Sequence, residues 1–254
     1  MTNSATPTTV LTRDRFDAVI FDMDGVVTDT AGLHGKSWKE MFDRFLEEYA
    51  QKTGGKQEPF DLGRDYLEYV DGKPRFDGVR SFLASRGISL PEGSLEDEPG
   101  MDSVFALGNW KNELFGKLLR EEGAVAYPGT LDLIRKLHAA NIKTAIISSS
   151  KNAEAILRSA NVLELFEVKV DGVDSLELDI KGKPAPDIFW RAAEELDVEV
   201  PRAVVVEDAI SGVQAGKAGK FGLVIGVSRG TDPEALRRNG ADVVVADLSE
   251  VSVA

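Results

Sequence analysis

Cysteine is absent from this 254-residue chain, and only two of its residues are histidine. A disulfide framework, a thiolate nucleophile and a zinc–thiolate centre are thereby excluded. Basic residues are also scarce, 30 against 43 acidic ones, and the formal charge of −13 disfavours a nucleic acid or an anionic membrane surface as partner. No apolar run approaches the roughly 20 residues of a membrane span, and residues 1–13 lack the apolar stretch of a signal peptide. We therefore expect a cytoplasmic protein, a monomer, with residues 1–13 as a flexible tail.

Apolar residues are present in ample number, 43% of the chain, which is enough for a packed interior. Short apolar runs without alternation are typical of parallel strands covered on both faces, and helical spacing separates most of them. The pattern predicts an α/β fold with a doubly wound, mostly parallel, Rossmann-like sheet. The six expected strands are residues 18–20, 143–147, 166–170, 203–206, 223–227 and 242–245.

The region between the first strand and the others differs, because its apolar residues keep helical spacing and no strand-like run interrupts them. It predicts an α-helical insert at residues 32–125 within a core of residues 1–31 and 126–254. Residues 91–100, acidic and rich in proline and glycine, are expected to form a surface loop. The aromatic and methionine stripe is more typical of a core than of a ligand site; its first helix carries Trp38, Met41, Phe42, Phe45, Leu46 and Tyr49.

Asp22 and Asp24 stand just after the first strand, at the edge of an α/β sheet where ligand sites form. Crowded carboxylates repel each other, and a divalent cation relieves the repulsion. Gly25 then permits a turn that a side chain would obstruct. Taken alone, such an acidic pair could also be a solvated loop.

Three more polar clusters follow later strands, and each has a simpler interpretation. Ser148, Ser149 and Ser150, with Lys151 and Asn152, could cradle a phosphate at a helix N-terminus or merely cap the helix. Lys183 precedes Pro184 in an extended turn and could be an ordinary solvated lysine. Glu207 and Asp208 could bind a cation or only cap the next helix. The ordered recurrence of all four clusters at strand ends makes the simpler interpretations jointly improbable.

In this combination the sequence resembles the haloacid dehalogenase superfamily: Asp22-x-Asp24-Gly25 resembles its first motif, Ser148 the second, Lys183 the third and Glu207-Asp208 the fourth. Within the superfamily it is most similar to the β-phosphoglucomutase family. The residues that carry this closer likeness are Thr28-Asp29-Thr30, His34, Trp38, Gly72-Lys73-Pro74-Arg75, Lys111-Asn112, the 148–152 cluster, Lys183-Pro184-Ala185-Pro186-Asp187 and Glu207 to Gly212. The chain departs from that family by extra length around 52–61 and 90–101 and by Ala209.

The resemblance implies an Mg²⁺-dependent phosphotransferase that converts β-D-glucose 1-phosphate and glucose 6-phosphate into each other through an aspartyl-phosphate and glucose 1,6-bisphosphate. Asp22 would be the nucleophile and Asp24 the general acid and base, while Ser148 and Lys183 would hold the phosphoryl group. Asp22, the Asp24 carbonyl, Glu207 and Asp208 would bind the metal. The helical insert would be a cap, and the expected substrate contacts are Thr30, His34, Trp38, Gly72, Arg75, Lys111, Ser149, Ser150, Lys151 and Asn152.

Two other functions stay open at this point. A phosphatase acting on a small sugar phosphate could use the same core motifs, and a non-catalytic sugar-phosphate-binding domain could keep the fold. Paired Arg75 and Lys111 favour the mutase, because a monophosphatase needs no second phosphate clamp. His34 taken alone could be a surface histidine on a helix, and His138, among apolar neighbours, is expected to be structural.

Overall fold

The computed structural model describes residues 9–70 and 73–254, which form two compact units. The first unit comprises Met1–Thr30 and Ala124–Ala254, and the second Ala31–Gly123. The insert predicted at residues 32–125 corresponds in position to the second unit, and its role as a cap stays a prediction. Every helix among the described residues is too short or too polar to cross a membrane.

The first unit is built on a six-stranded parallel sheet with two short strand pairs beside it. Its strands are β1 (Thr9–Leu11), β2 (Ala18–Asp22), β3 (Thr28–Asp29), β4 (Val125–Ala126), β5 (Lys143–Ile147), β6 (Val168–Val170), β7 (Ala203–Glu207), β8 (Leu223–Val227), β9 (Val243–Val245) and β10 (Val251–Val253). The sheet order is β6-β5-β2-β7-β8-β9, so the chain winds outward from β2 on one side and returns to wind outward on the other. The predicted doubly wound fold is confirmed.

The helices divide between the two units. The second unit contains α1 (Ala31–Thr53), α2 (Arg75–Ser85) and α3 (Val104–Glu122), with a π-helical turn at Tyr66–Val70. The first unit contains α4 (Pro128–Ala139), α5 (Ala153–Ser159), α6 (Gly172–Glu177), α7 (Asp187–Glu195), α8 (Ile210–Ala218) and α9 (Pro233–Asn239). Apolar side chains of α7 and α8 pack on the sheet in one buried cluster with residues of β2, β5 and β7.

Strand register brings the polar clusters to one level of the sheet. Asp22 pairs with Ile147 of β5, so Ser148 lies one residue beyond that level. Phe21 pairs with Val206, which places Glu207 level with Asp22 on the neighbouring strand. The chain reverses its winding direction between β2 and β7, and such switch points are where open α/β sheets bind ligands.

Two local predictions were wrong. Residues 9–11 are not a tail, because β1 pairs in parallel with β10 and Leu11 is fully buried; residues 1–8 lie outside the described part of the chain. The strand expected at 166–170 begins at Val168, because a 3₁₀ turn at Leu163–Leu165 precedes it. In both cases only three residues pair, which is too short for periodicity to settle.

An aromatic cluster forms the core of the second unit. Phe42 stacks with Trp38 at 5.3 Å between ring centroids and contacts Phe82 at 4.0 Å and Phe60 at 5.2 Å. The aromatic and methionine stripe of α1, predicted to be part of a core, therefore does lie in the core of the second unit. Residues 91–100 form no helix or strand, but they are held to the unit: the Asn109 side-chain amide donates to the carbonyls of Leu95 and Asp97 at 3.1 and 2.8 Å.

Candidate active site

Asp22 and Asp24 lie on a tight turn that leaves β2. Asp22 is the last residue of the strand rather than the first beyond it, and it is buried. Gly25 has a φ of +80°, a conformation that side chains disfavour. A Cβ at this position would also overlap the carboxylate of Asp208, so the turn requires glycine here. The Thr30 hydroxyl donates to an oxygen of Asp24, which fixes that carboxylate within the turn.

Lys183 lies between two carboxylates of the site. Its ammonium donates to Asp22 Oδ1 and to Glu207 Oε1, and its side chain is 11% exposed. Burial alone would lower the pKa of Lys183, but Asp22 and Glu207 raise it well above its usual range. Lys183 is therefore a buried ammonium that holds the two strand-end carboxylates, and not a solvated lysine.

Glu207 is positioned by the start of α8. Its Oε2 accepts hydrogen bonds from the backbone N–H groups of Asp208 and Ala209, each at 3.1 Å. Gly212 lies against the Glu207 carboxylate, and any side chain there would overlap it. These two amides precede the first turn of α8, which has no side-chain capping bond, so the simpler interpretation as a helix cap was wrong; the Glu207 carboxylate also accepts from Lys183.

Three carboxylates of this edge fit a hard divalent cation. Asp22, Glu207 and Asp208 each offer an oxygen, and these atoms lie within 4.8 Å of one another. Burial raises the pKa of Asp22 well above its usual range; Lys183 opposes this shift, while Glu207 and Asp208 add to it. Burial and then Glu207 raise the pKa of Asp208 to about 7.

One ammonium among crowded carboxylates leaves a surplus of negative charge, and oxygen ligands of this kind are those that Mg²⁺ prefers. The Asp24 side chain is not part of the group of three. That placement is compatible with the expected use of its main-chain carbonyl as a ligand.

The serine cluster lies before α5 rather than in its first turn. Ser148 is buried at the end of β5, and its amide donates to Val170 O at 3.1 Å. The hydroxyl of Ser148 accepts from the Ser150 amide at 3.0 Å, and the Ser150 hydroxyl accepts from the Asn152 amide at 3.1 Å. The helix begins at Ala153, and the Asn152 side chain makes no capping bond. The interpretation of this segment as a simple helix cap was therefore wrong. The segment forms two successive turns, each closed by a hydrogen bond to a serine hydroxyl, at the same edge of the sheet.

Within the second unit, Lys111 joins His34 and Trp38. The Lys111 ammonium lies 2.7 Å from His34 Nδ1, 5.2 Å from the Trp38 ring centroid and 4.9 Å from that of Phe115. His34 stacks on Phe115 at 4.3 Å, so it is not the surface histidine of the simpler interpretation. Burial and then Lys111 hold the pKa of His34 well below its usual range, which keeps the imidazole neutral and able to accept from the ammonium.

Arg75 opens α2 and its aliphatic chain lies close to Gly108 of α3, one turn before Lys111. Its guanidinium is 4.8 Å from the Phe76 ring centroid, and its buried Nε has no hydrogen-bond partner among the described residues. Burial lowers the pKa of Arg75. Gly72, also expected at this site, lies outside the described residues.

The structure thus gathers the core motifs at one sheet edge and joins His34, Trp38 and Lys111 within the second unit, while Arg75 lies near Gly108, one turn from Lys111. Two features were missed from the sequence. Phe115 completes the aromatic surround of Lys111, and its position four residues later on the same helix was a usable signal. Arg229 and Tyr127 contact each other near the Asp24 turn, with the arginine at 3.8 Å from the ring centroid. Arg229 also follows an apolar strand, the same signal that found the carboxylates. His138, expected to be structural, contacts the Thr144 hydroxyl at 3.0 Å.

Comparison with known proteins identifies relatives over most of the chain. Residues 16–220 match the haloacid dehalogenase-like hydrolase family. A β-phosphoglucomutase of Mycobacterium bovis is 49% identical over 241 residues, which cover 94% of this chain and 92% of that protein. The crystal structure of a putative β-phosphoglucomutase from Thermotoga maritima superposes with a TM-score of 0.67 at 28% identity, covering 92% of this chain and 96% of that one. The structure of CbbY from Rhodobacter sphaeroides in complex with phosphate gives a TM-score of 0.68 at 26% identity, with coverages of 94% and 97%.

Proposed function

The chain belongs to the haloacid dehalogenase-like hydrolase family, and from this premise we propose that it is a β-phosphoglucomutase. The proposed reaction converts β-D-glucose 1-phosphate and D-glucose 6-phosphate into each other through glucose 1,6-bisphosphate. The observation that carries the proposal is the contact of Lys183 with both Asp22 and Glu207, beside the Asp24 turn. The 49% identity to a β-phosphoglucomutase over nearly the whole chain supports the choice of substrate.

Asp22 and Asp24 divide the proposed chemistry between them. In one half-reaction an oxygen of Asp22 attacks a phosphorus of glucose 1,6-bisphosphate, the bond from phosphorus to the sugar oxygen breaks, and an aspartyl-phosphate and a glucose monophosphate form. The leaving sugar oxygen takes a proton from the Asp24 carboxyl. In the other half-reaction Asp24 removes a proton from the 6-hydroxyl of β-glucose 1-phosphate, and that oxygen attacks the phosphoryl group on Asp22. The bond between phosphorus and Asp22 breaks, which regenerates the free carboxylate and the bisphosphate. Thr30 supports this role because its hydrogen bond keeps the Asp24 carboxylate in place.

Lys183 and Ser148 are the proposed holders of the transferring phosphoryl oxygens. Asp22 and Glu207 raise the pKa of Lys183, which favours its charged form, and Ser148 lies one residue beyond the level of Asp22. Asp22, the Asp24 carbonyl, Glu207 and Asp208 would bind Mg²⁺, which when bound neutralises phosphoryl charge as a Lewis acid. Ser149, Ser150, Lys151 and Asn152 are the proposed sugar or phosphate contacts of the same edge.

The insert supplies the second phosphate clamp in this proposal. Arg75 supports this role, since its Nε is buried without a partner among the described residues, and a guanidinium suits phosphate oxygens. Lys111 would be held for the same phosphate by His34 and Trp38. Cap closure would exclude water, so that the phosphoryl group passes to sugar rather than to solvent. A cytoplasmic location and a monomeric state are likewise proposed, from the sequence alone.

A phosphatase acting on a small sugar phosphate is the alternative function. It is favoured by the match to a family described as hydrolases and by the phosphate complex of CbbY. The two functions differ in the fate of the phosphoryl group on Asp22, which goes to a sugar hydroxyl in one case and to water in the other.

The test uses purified protein, Mg²⁺ and β-glucose 1-phosphate with a trace of glucose 1,6-bisphosphate. Glucose 6-phosphate and free phosphate are then quantified separately. We expect glucose 6-phosphate in large excess, no reaction with the matched α anomer and none with Asp22→Asn. Free phosphate as the main product would favour the phosphatase, and no product from any sugar phosphate would refute both.

A further inference from the structure

The turn that carries Asp24 is held by hydrogen bonds within the turn and by others from residues outside it. Inside the turn, the Gly25 amide donates to Thr28 O, and the Val27 amide donates to Met23 O, each at 2.9 Å. Three successive carbonyls of the turn accept bonds from elsewhere in the unit. Gly25 O accepts from Arg229 Nε at 3.3 Å, Val26 O from the Thr130 hydroxyl at 2.7 Å, and Val27 O from the Tyr127 amide at 3.0 Å.

Arg229 is the one charged group among these three donors, and it is itself held on two further sides. Its guanidinium lies 3.8 Å from the centroid of the Tyr127 ring, a cation–π contact. Its Nη2 forms an ion pair with Asp247 Oδ2 at 3.0 Å, at an angle that falls short of an aligned hydrogen bond. With the ring on one side and the carboxylate on another, the side chain has little freedom to leave Gly25 O.

The identity of residue 25 gives a reason for the hydrogen bond from Arg229 to the Gly25 carbonyl. Glycine is required there because a side chain would overlap the Asp208 carboxylate. Glycine also has the widest conformational freedom of any residue, and here it is the neighbour of the group that must transfer the proton. A donor on its carbonyl removes part of that freedom without adding atoms to the crowded side of the turn.

We propose that Arg229 is a positioning residue for Asp24, acting through the Gly25 carbonyl. Thr30 fixes the Asp24 carboxylate, and Arg229 fixes the backbone that carries it. The inference rests on the proposed function only for the role of Asp24 as general acid and base. It predicts that loss of Arg229 harms steps that need proton transfer and spares those that do not.

Acetyl phosphate separates these steps, because acetate leaves as a stable anion and needs no proton from Asp24. Phosphorylation of Asp22 by acetyl phosphate would be followed in a single turnover with radiolabelled donor. Turnover of the sugar phosphate would be measured in parallel. Both assays would be run on the Arg229→Ala variant and on the wild-type protein, each loaded with Mg²⁺. We expect sugar phosphate turnover to fall about 10- to 100-fold, as for loss of other supporting contacts, while acetyl phosphate transfer changes less than about threefold.

Arg202→Ala is the matched control. Arg202 belongs to the same unit, pairs with Asp17 and donates to the carbonyls of Arg13 and Asp14 at 3.1 Å, but it lies at the opposite end of β2. Its loss should leave the ratio of the two rates at the wild-type value. Should Arg229→Ala fail to fold, Arg229→Lys serves as the milder variant, with the same shift expected at smaller size.

Equal losses in both assays, or no loss in either, would overturn the positioning role. Failure of the proposed function has a different signature, since it is seen in the wild-type protein. Wild type that hydrolyses sugar phosphate without isomerising it refutes the mutase, and the Arg229 ratio is then measured on that hydrolysis, which also needs Asp24. If acetyl phosphate does not label Asp22 in the wild-type protein, both the proposed mechanism and the inference are refuted.

Discussion

Removing one carboxylate from the cluster of Asp22, Glu207 and Asp208 should stabilise the protein when no metal is bound. The substitution Asp208→Asn keeps the shape of the side chain and removes its charge. In the metal-free wild-type protein, burial and Glu207 raise the pKa of Asp208 to about 7 from the ordinary 3.8. The folded state therefore resists ionisation of this group, and the unfolded state does not.

The sign follows from proton linkage. Between pH 4 and 7 the folded protein holds a proton at Asp208 that the unfolded chain has released, so the free energy of unfolding falls as the pH rises through this window. A shift from 3.8 to about 7 corresponds to an upper limit of about 4 kcal/mol at pH 8. Asp208 is partly accessible to solvent, which screens the repulsion. We therefore expect Asp208→Asn to gain about 1–3 kcal/mol, or several degrees in the unfolding midpoint.

The assay is thermal and urea unfolding in chelator and in Mg²⁺, at pH 8 and pH 4. In chelator at pH 8 the variant should be the more stable protein, and at pH 4 the difference should nearly vanish. Added Mg²⁺ should stabilise wild type and have little effect on the variant. Asp171→Asn is the opposite control: burial would raise the pKa of Asp171, but Lys169 and backbone N–H groups lower it, so that variant should lose stability at pH 8. A variant at Asp208 that is less stable than wild type in chelator at pH 8 would refute the reasoning.

Three other predictions follow from the same structure. Asp22→Asn should abolish labelling by acetyl phosphate and turnover, with a loss greater than the roughly 10²–10³ of a single transition-state contact; near-normal turnover with deamidation excluded by mass spectrometry would contradict its role as nucleophile. Arg75→Ala and Lys111→Ala should each weaken bisphosphate use by about 1.5–3 kcal/mol while labelling of Asp22 by acetyl phosphate survives; equal losses in both assays would assign these residues to folding. Phe42→Ala should lower the free energy of unfolding by about 3–5 kcal/mol, since its ring is fully buried among Trp38, Phe60 and Phe82; urea unfolding with a loss below about 1 kcal/mol would contradict that packing.

The sheet and its polar edge could be predicted because they follow from local patterns. Apolar runs such as residues 143–147 and 203–206 mark parallel strands, and parallel strands end at a common edge. Asp22 and Glu207, at the ends of two neighbouring strands, were therefore expected to be near each other before any distance was known. The expectation that Lys183 also follows a strand was wrong, because α6 separates it from β6 and it lies in the turn before α7. The same rule could have identified Arg229, which follows β8 in the same way.

Other features depend on partners far away in the sequence and could not be found locally. β1 exists because Thr9–Leu11 meets Val251–Val253 across the length of the chain. The neutral state of His34 depends on its burial and on an ammonium 77 positions later. Periodicity records which face of an element is apolar, but it carries no information on which distant residue will cover that face.

The paired strands β3 and β4 have a consequence for how such enzymes can diversify. Asp29 and Val125 are antiparallel partners, so the chain leaves the sheet unit and returns to it at adjacent positions. The residues between them are an insertion into this two-stranded stem. Because the stem already holds the two ends of the insertion together, the inserted segment does not have to do so. A helical segment of different length or sequence could be exchanged at this stem while the order and register of the sheet stay the same. Evolution, or a protein engineer, can thus vary the inserted segment independently of the residues at the carboxyl edge of the sheet.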